Sequence, residues 1–423
     1  MYRLDWIEQL KLRNTEWPSP KQAGKVSPAV WKLGLTSFLT DISAEMVNSV
    51  IPVYLVLYLH TSPLQYGAVD GLYNGFAVAA LSLAGGLVAD RTRRHKEVAA
   101  AGYGLSAICK LALLATSAMW TAWIIAIIAV DRLGKGIRTA PRDALISLHT
   151  RREHFGSAFA VHRMLDAGGM LMGPTVAFAL LWLLPMAFDV VWLTSFFFAV
   201  LGVAVLWLFV PKPVQRESSG SVSPSLRSAL RLFTSRQFLV LTICGLSLTL
   251  VTISDGFFYL QLQRKTGTPS GFFPLFYVIT ASFYMLLSVP VGRIADRYGR
   301  TRVFLSGYAI LALVYIAFES VNTVNAALQI GFLGILGLYY AATEGILMAM
   351  GSAIIPPVLR TSGLALLATV VGLGKLGSAL LFGWVWQTYS SGVAMRFFAA
   401  GLIAVVLFVT LALYIHGHEQ FES

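Results

Sequence analysis

The stretch GGLVADRTRR, residues 85–94, returns 206 positions later as VGRIADRYGR, residues 291–300. Each copy places a Gly four residues before an Asp-Arg pair and follows a long apolar run, so the chain repeats itself across its two halves. The surroundings of both copies are oily: of 423 residues, 57% are hydrophobic and only 12% charged, with a mean hydropathy of +0.70. A water-soluble domain carries about 25% charged residues. Since a helix needs about 20 apolar residues to cross a bilayer, the runs between charged or Pro/Gly-bearing breaks predict an all-α membrane protein with twelve spans. They fall at 30–58, 65–90, 98–118, 120–140, 155–180, 185–210, 237–262, 270–295, 302–319, 325–352, 363–387 and 393–415.

The basic residues then sort the loops into two ends. Segments after even-numbered spans carry RTRRHK (91–96), RDALISLHTRR (142–152), KPVQRESSGSVSPSLRSALRLFTSR (212–236) and RYGRTR (297–302). The opposite loops, such as HTSPLQ and ESVNT, are almost free of Lys and Arg, with Arg264, Lys265 and Arg396 as exceptions. Such a bias puts the basic end and both termini in the cytoplasm, in an inner (plasma) membrane of bacterial type. It also accounts for the net charge of +12, so no nucleic-acid partner is called for. Cys109 and Cys244 lie in different apolar runs and support neither a disulfide framework nor a metal motif, and His416 with His418 reads as a solvated end.

Five segments follow: a cytoplasmic N-terminal segment, 1–27; a six-helix bundle, 28–210; a Ser-, Pro- and Arg-bearing linker, 211–236; a second six-helix bundle, 237–415; and a cytoplasmic tail, 416–423. Residues 1–27 lack a signal-peptide core, and Leu4, Trp6, Ile7 and Leu10 suit either a short amphipathic surface helix or a disordered tail. Two pseudo-symmetric six-helix bundles joined by a linker form a transporter plan with its substrate site between the halves near midplane.

On these features the chain resembles the major facilitator superfamily over essentially its whole length. Gly86, Asp90, Arg91 and Arg94, and again Gly292, Asp296, Arg297 and Arg300, look like that superfamily's signature loop. The resemblance implies a gate that holds the cytoplasmic side closed in the outward-facing state. GKGIRTAPRD (134–143) puts charge directly after the apolar run of span 4. It is no nucleotide-binding loop, because Ala129 stands where the first Gly is needed and Gly136 follows Lys135. Arg132 and Gly136 resemble the superfamily's span-4 Arg-x-x-x-Gly motif, linked to proton coupling in exporters; Lys135 and Arg138 are additions to it. In span 5, Gly169, Gly173 and Pro174 resemble the Gly-x-x-x-Gly-Pro motif of exporters, where small residues allow close helix packing and Pro adds a bend where the halves meet. FLTDISAEMVNSVIPVYL, DRLGKGIRTAPRDALI and VHRMLDAGGMLMGP together look like a bacterial group of the superfamily without a dependable substrate.

Charges inside a membrane normally face a bundle interior or a water-filled cavity. Asp41, Glu45 and Asn48 share one face of span 1, and Asp70 and Asn74 one face of span 2. Lys110 is in span 3, His162, Arg163 and Asp166 in span 5, Asp255 in span 7, Glu344 in span 10 and Lys375 in span 11. A buried carboxylate that can change protonation is the simplest coupling element, which singles out Asp41, Glu45, Asp255 and Glu344. Asn48, Lys110, Arg132, Lys135, Arg138 and Lys375 are the candidates for holding an anionic or zwitterionic substrate. Arg142 and Asp143 join the two signature loops as gating residues. With the repeat offset, Arg138 and Glu344 occupy equivalent positions, and a cross-half ion pair between them is expected. The function expected is proton-coupled export of a small organic molecule by alternating access, through a monomer that contacts membrane lipid and is driven by the proton gradient, with no cofactor and no metal. Import or uniport of an organic anion, export of cationic drugs, and a non-transporting receptor remain alternatives. No nucleophile and base stand at catalytic spacing, so an enzyme is the least expected reading.

Overall fold

The computed structural model describes residues 26–74, 88, 89, 91, 92, 94–118, 121–150, 154–211, 230–321, 323–356 and 359–415, and all regular structure among them is helical. Among the described residues, nine helices are long and apolar enough to cross a membrane. The three other expected spans are Pro28–Val53, which carries Lys32, Asp41 and Glu45; the helix that begins at Pro63; and Thr121–Leu148, which holds the charges of GKGIRTAPRD. Residues 1–25, Gly86, Asp90, the linker from 212 to 229, and the tail with His416 and His418 lie outside the described residues.

Local chemistry sets several helix ends. Span 1 starts at Pro28, with the Ser27 side chain accepting from the Ala29 amide at 3.3 Å. Span 10 starts behind Asn325, whose side chain accepts from Leu328 N at 2.9 Å. Two spans differ from the hydropathy reading. Span 4 runs through Pro141 to Leu148, so Arg142 and Asp143 lie on the helix instead of in a loop. Span 7 is broken into Arg236–Leu250 and Asp255–Thr266, because Val251 to Ser254 leave helical geometry. The second signature loop is a corner more than a loop: span 8 ends at Tyr298, Gly299 turns with φ of 102°, and span 9 starts at Arg300. Only Gly adopts that φ without strain.

The three cations that break the charge bias each have a local use. Lys265 Nζ donates to the carbonyls of Phe318 and Val321, at 2.5 and 2.9 Å, where span 9 ends. A cation there meets unsatisfied carbonyls and the negative end of the helix dipole. Arg264 stacks on Trp386 at 4.8 Å, and Arg396 pairs with Glu319 at 3.9 Å. Lys96 at the basic end treats span 6 as Lys265 treats span 9, donating to Trp207 O and Val210 O.

Within the first half, span 1 packs on spans 5 and 6, and span 3 on spans 4 and 6; in the second, span 10 packs on spans 8 and 9. Glycines set the closest approaches. A Cβ on Gly102 would stand 2.7 Å from the Gly134 carbonyl and 2.9 Å from the Arg138 amide. Gly102→Ala must therefore push span 3 off span 4, at a cost of about 1–3 kcal/mol. A fall in the thermal unfolding midpoint of purified protein would check this; an unchanged midpoint would mean the helices have slack. Gly169 and Gly173 lie against Phe38, Asp41, Ile42 and Glu45 of span 1. The small residues of span 5 therefore bring two helices of one half close together.

The halves meet at the sparsely charged end. There a Cβ on Gly67 would meet the Ala379 carbonyl at 2.3 Å, one on Gly383 the Pro63 carbonyl at 2.5 Å, and one on Gly271 the Leu181 carbonyl at 3.0 Å. Phe178 packs on Phe272 at 5.4 Å and Tyr66 on Phe257 at 4.7 Å. Toward the basic end the picture reverses. Gly292 and Gly345 face open space, and a cavity of about 240 Å³ lies between spans 8 and 10, lined by Tyr284, Ser288, Gly292 and Gly345 among others. Among the described residues, these close approaches between the halves lie at the sparsely charged end.

Candidate functional site

Span 4 carries Arg132, Lys135, Arg138 and Arg142 at steps of three and four residues, so one helical face bears four cations in a row. Spans 1, 3 and 5 supply what surrounds them. Deepest is a sealed cluster in which Asp131 takes ion pairs from both Lys110 and Arg132. Lys110 Nζ also bonds Ser106 at 3.2 Å, and the Arg132 guanidinium lies 3.6 Å from the Tyr73 ring centroid. Lys110 is 1% exposed and Arg132 2%. In this conformation Asp131 and Tyr73 engage their charge and faces. The sequence reading passed over Asp131, although a carboxylate next to an Arg in an apolar run was a readable signal for a paired charge.

Nearly two turns on, Arg138 pairs with Asp41 at 3.6 Å and stacks on Tyr103 at 4.3 Å. Glu344 instead faces Lys375 at 3.7 Å, with their side chains 49% and 44% exposed. The expected Arg138–Glu344 pair is absent from this conformation, because each finds its counter-ion within its own half. Glu45 accepts from Asn48 at 2.9 Å, as their shared face on span 1 allows. Near the basic end, Arg142 reaches Asp143 at 3.0 Å, Ser37 at 3.3 Å and Asp166 at 3.9 Å. His162 joins this group through Ser37 at 2.9 Å and Asp166 at 3.4 Å. Asp296 and Arg300 form a local pair across their corner at 3.3 Å, while Arg91, Arg94 and Arg297 are exposed.

The second half supplies rings and hydroxyls. Asp255 opens the outer piece of span 7 and accepts from the Tyr340 hydroxyl. Tyr284 lies edge-on to Tyr340, and Tyr259 bonds Thr280 at 2.8 Å.

Two cations stand apart from this pairing. Lys135 is half-buried and Arg163 exposed, and neither side chain has an ion pair or hydrogen bond among the described residues. Lys135 lies in the field of Asp41, Glu45, Arg132 and Arg138. An ammonium without a counter-ion contact, in the field of two carboxylates, has the chemistry to take up a small anion.

Comparison with known proteins places this arrangement. The sequence model of the Major Facilitator Superfamily matches residues 33–374. The chain belongs to that superfamily. A relative from Methanocaldococcus jannaschii, described as an uncharacterised MFS-type transporter, is 28% identical over 387 residues, covering 90% of this chain and 94% of that protein. An uncharacterised protein of Mycobacterium tuberculosis is 25% identical over 402 residues, covering 92% and 96%. Among solved structures, the nucleoside transporter NupG superposes with a TM-score of 0.73 at 16% identity, covering 91% of this chain and 99% of that one. A bacterial homologue of the human lysosomal transporter Spinster, in an inward-facing and unoccupied conformation, gives 0.69 at 16%, covering 93% and 97%. The fold is thus the superfamily's twelve-helix, two-bundle architecture, and the protein is an integral membrane secondary transporter of this superfamily.

Proposed function

We propose that this transporter exports a small organic anion or zwitterion from the cytoplasm in exchange for protons, by alternating access, with its basic end in the cytoplasm. The observation that carries the reading is Lys135, a half-buried ammonium without an ion pair among the described residues, in the field of Asp41 and Glu45 of span 1. An anionic group seated on Lys135 competes with the carboxylates for the same cation. A proton taken up by Asp41 or Glu45 weakens that competition, so substrate and proton influence each other through one small site. Tyr284, which lines the cavity between spans 8 and 10, offers a ring face, and the exposed Glu344–Lys375 pair supplies both signs for a zwitterion. Export is favoured by the resemblance of Gly169, Gly173 and Pro174 to the exporter motif.

Purified protein in liposomes with a pH-sensitive dye inside, screened against organic anions, zwitterions and cationic drugs under an imposed proton gradient, tests this. Proton movement opposite to the substrate is expected. Movement in the same direction would make the protein an importer, and a response to cationic drugs alone would overturn the substrate class. Lys135→Ala should raise the half-saturating concentration of the active anion by about 10- to 100-fold, the loss of one charge-assisted hydrogen bond of about 1.5–3 kcal/mol. An unchanged value would put the anion elsewhere.

A further inference from the structure

With the mutual pairs set aside, one cation and one carboxylate are left over on opposite halves. Arg138 is taken by Asp41, Arg142 by Asp143 and Asp166, and Lys375 by Glu344, while Lys135 lies in the field of Asp41 and Glu45. Arg163 of span 5 is exposed and has no ion pair or hydrogen bond among the described residues. Asp255 of span 7 is half-buried, accepts from Tyr340 and forms no ion pair among them; the cation in its field, Lys375, is the one held by Glu344.

A line of neighbours joins the two. Leu181 stands five helical turns from Arg163 and so shares its face of span 5, and the Leu181 backbone meets Gly271 just before span 8. That face is turned to the second half, and Tyr284 of span 8 lies in the field of Arg163. The Tyr284 ring is 6.5 Å from the Tyr340 ring, and the Tyr340 hydroxyl donates to Asp255. At about 1.5 Å per residue from the basic end of each helix, Arg163 is roughly 12 Å in, the two tyrosines roughly 21 Å and Asp255 roughly 28 Å. A cation, two rings and a carboxylate follow one another inward.

We propose that this row seats an elongated zwitterion, its acid group on Arg163, its ammonium on Asp255, and an apolar or aromatic body against Tyr284 and Tyr340. The guanidinium fork matches a carboxylate or phosphate with two hydrogen bonds, and a carboxylate bonded to one hydroxyl keeps acceptor positions for an ammonium. Tyrosine rings pack on an apolar body and attract a cation at their faces. A molecule that is neutral overall satisfies both residues without bringing net charge into the membrane, whereas a plain anion leaves Asp255 without a cation. Asp166, which lies in the field of Lys135, is three residues from Arg163, so the two cations share a neighbour at the acid end. The seat rests on the transport reading above and narrows its substrate to zwitterions with well-separated charges.

Binding to the purified full chain tests it with three matched probe series: 4-(ω-aminoalkyl)benzoates of increasing chain length, 4-alkylbenzoates without the ammonium, and ω-phenylalkylamines without the acid. The aminoalkylbenzoate of best length should bind about 10- to 100-fold more tightly than either counterpart. Asp255→Asn should bring it down to the level of the alkylbenzoate and leave the alkylbenzoate unchanged. Arg163→Gln should bring it down to the level of the phenylalkylamine and leave that amine unchanged, and Arg163→Lys should recover part of the loss. Each variant's unchanged binding of one series shows that it is folded. Aminoalkylbenzoates no tighter than alkylbenzoates at any length would overturn the seat while leaving an anion on Lys135. Equal losses of both series in Asp255→Asn would make Asp255 structural and overturn it too. Binding by none of the three series would also overturn it, and the export reading would still be decided by proton flux in liposomes.

Discussion

Asp131→Asn is expected to lower the stability of the folded protein by about 3–5 kcal/mol, because it leaves two buried cations without their shared counter-ion. Lys110 and Arg132 are nearly sealed from water, and the Tyr73 face that covers Arg132 cannot replace a full negative charge. The pairing reads as structural: it ties span 3 to span 4 close to where Gly102 and Gly134 bring their backbones together. The comparison to make is Asp296→Asn, whose exposed pair with Arg300 is worth about 0–1 kcal/mol. Thermal unfolding of both variants in the same detergent should separate them widely. Lys110→Met introduced into Asp131→Asn should recover part of the loss, since it removes one of the stranded charges. Equal midpoints for Asp131→Asn and the wild type would show that water or a rearranged side chain reaches the cluster.

Arg138→Ala is expected to reduce transport of any substrate the wild-type chain moves by about 100-fold, the scale of a misplaced catalytic or binding group, while folded protein remains in the membrane. The reason is Asp41. Arg138 is its ion-pair partner at 3.6 Å, and without that pair span 4 loses its charged tie to span 1. Tyr103 also loses the guanidinium stacked on it, but the ring remains packed in the core of the first half. Adding Asp41→Asn to Arg138→Ala should leave the folded yield as it is and restore no transport, because both the charge pair and the exchangeable proton are gone. Normal transport by a correctly inserted Arg138→Ala chain would remove the span-4 stripe from the mechanism.

Part of this site was legible in one dimension. A Lys or Arg inside an apolar run is visible without coordinates, so Arg132, Lys135 and Arg138 stood out, as did Asp41, Glu45, Asp255 and Glu344. What could not be read was which charges are already spent. Lys110 and Arg132 looked as available as Lys135, and the difference between them is a single carboxylate, Asp131, the sequence neighbour of Arg132, which Lys110 reaches from span 3.

The sequence by itself determined the all-helical plan, the twelve apolar runs, the duplication marked by residues 85–94 and 291–300, and the resemblance to the superfamily that the comparison then established. These follow from hydropathy, charge bias and repetition, which add up along the chain and need no knowledge of what lies beside what. The tertiary structure alone decided that Arg138 faces Asp41 instead of Glu344, that Gly169 and Gly173 pack within one half, and that the close approaches between the halves lie at the sparsely charged end. Ion pairs and helix contacts depend on distances of a few ångströms between segments far apart in sequence. The same charged residue is structural or free according to a neighbour that only the packing of the helices brings to it.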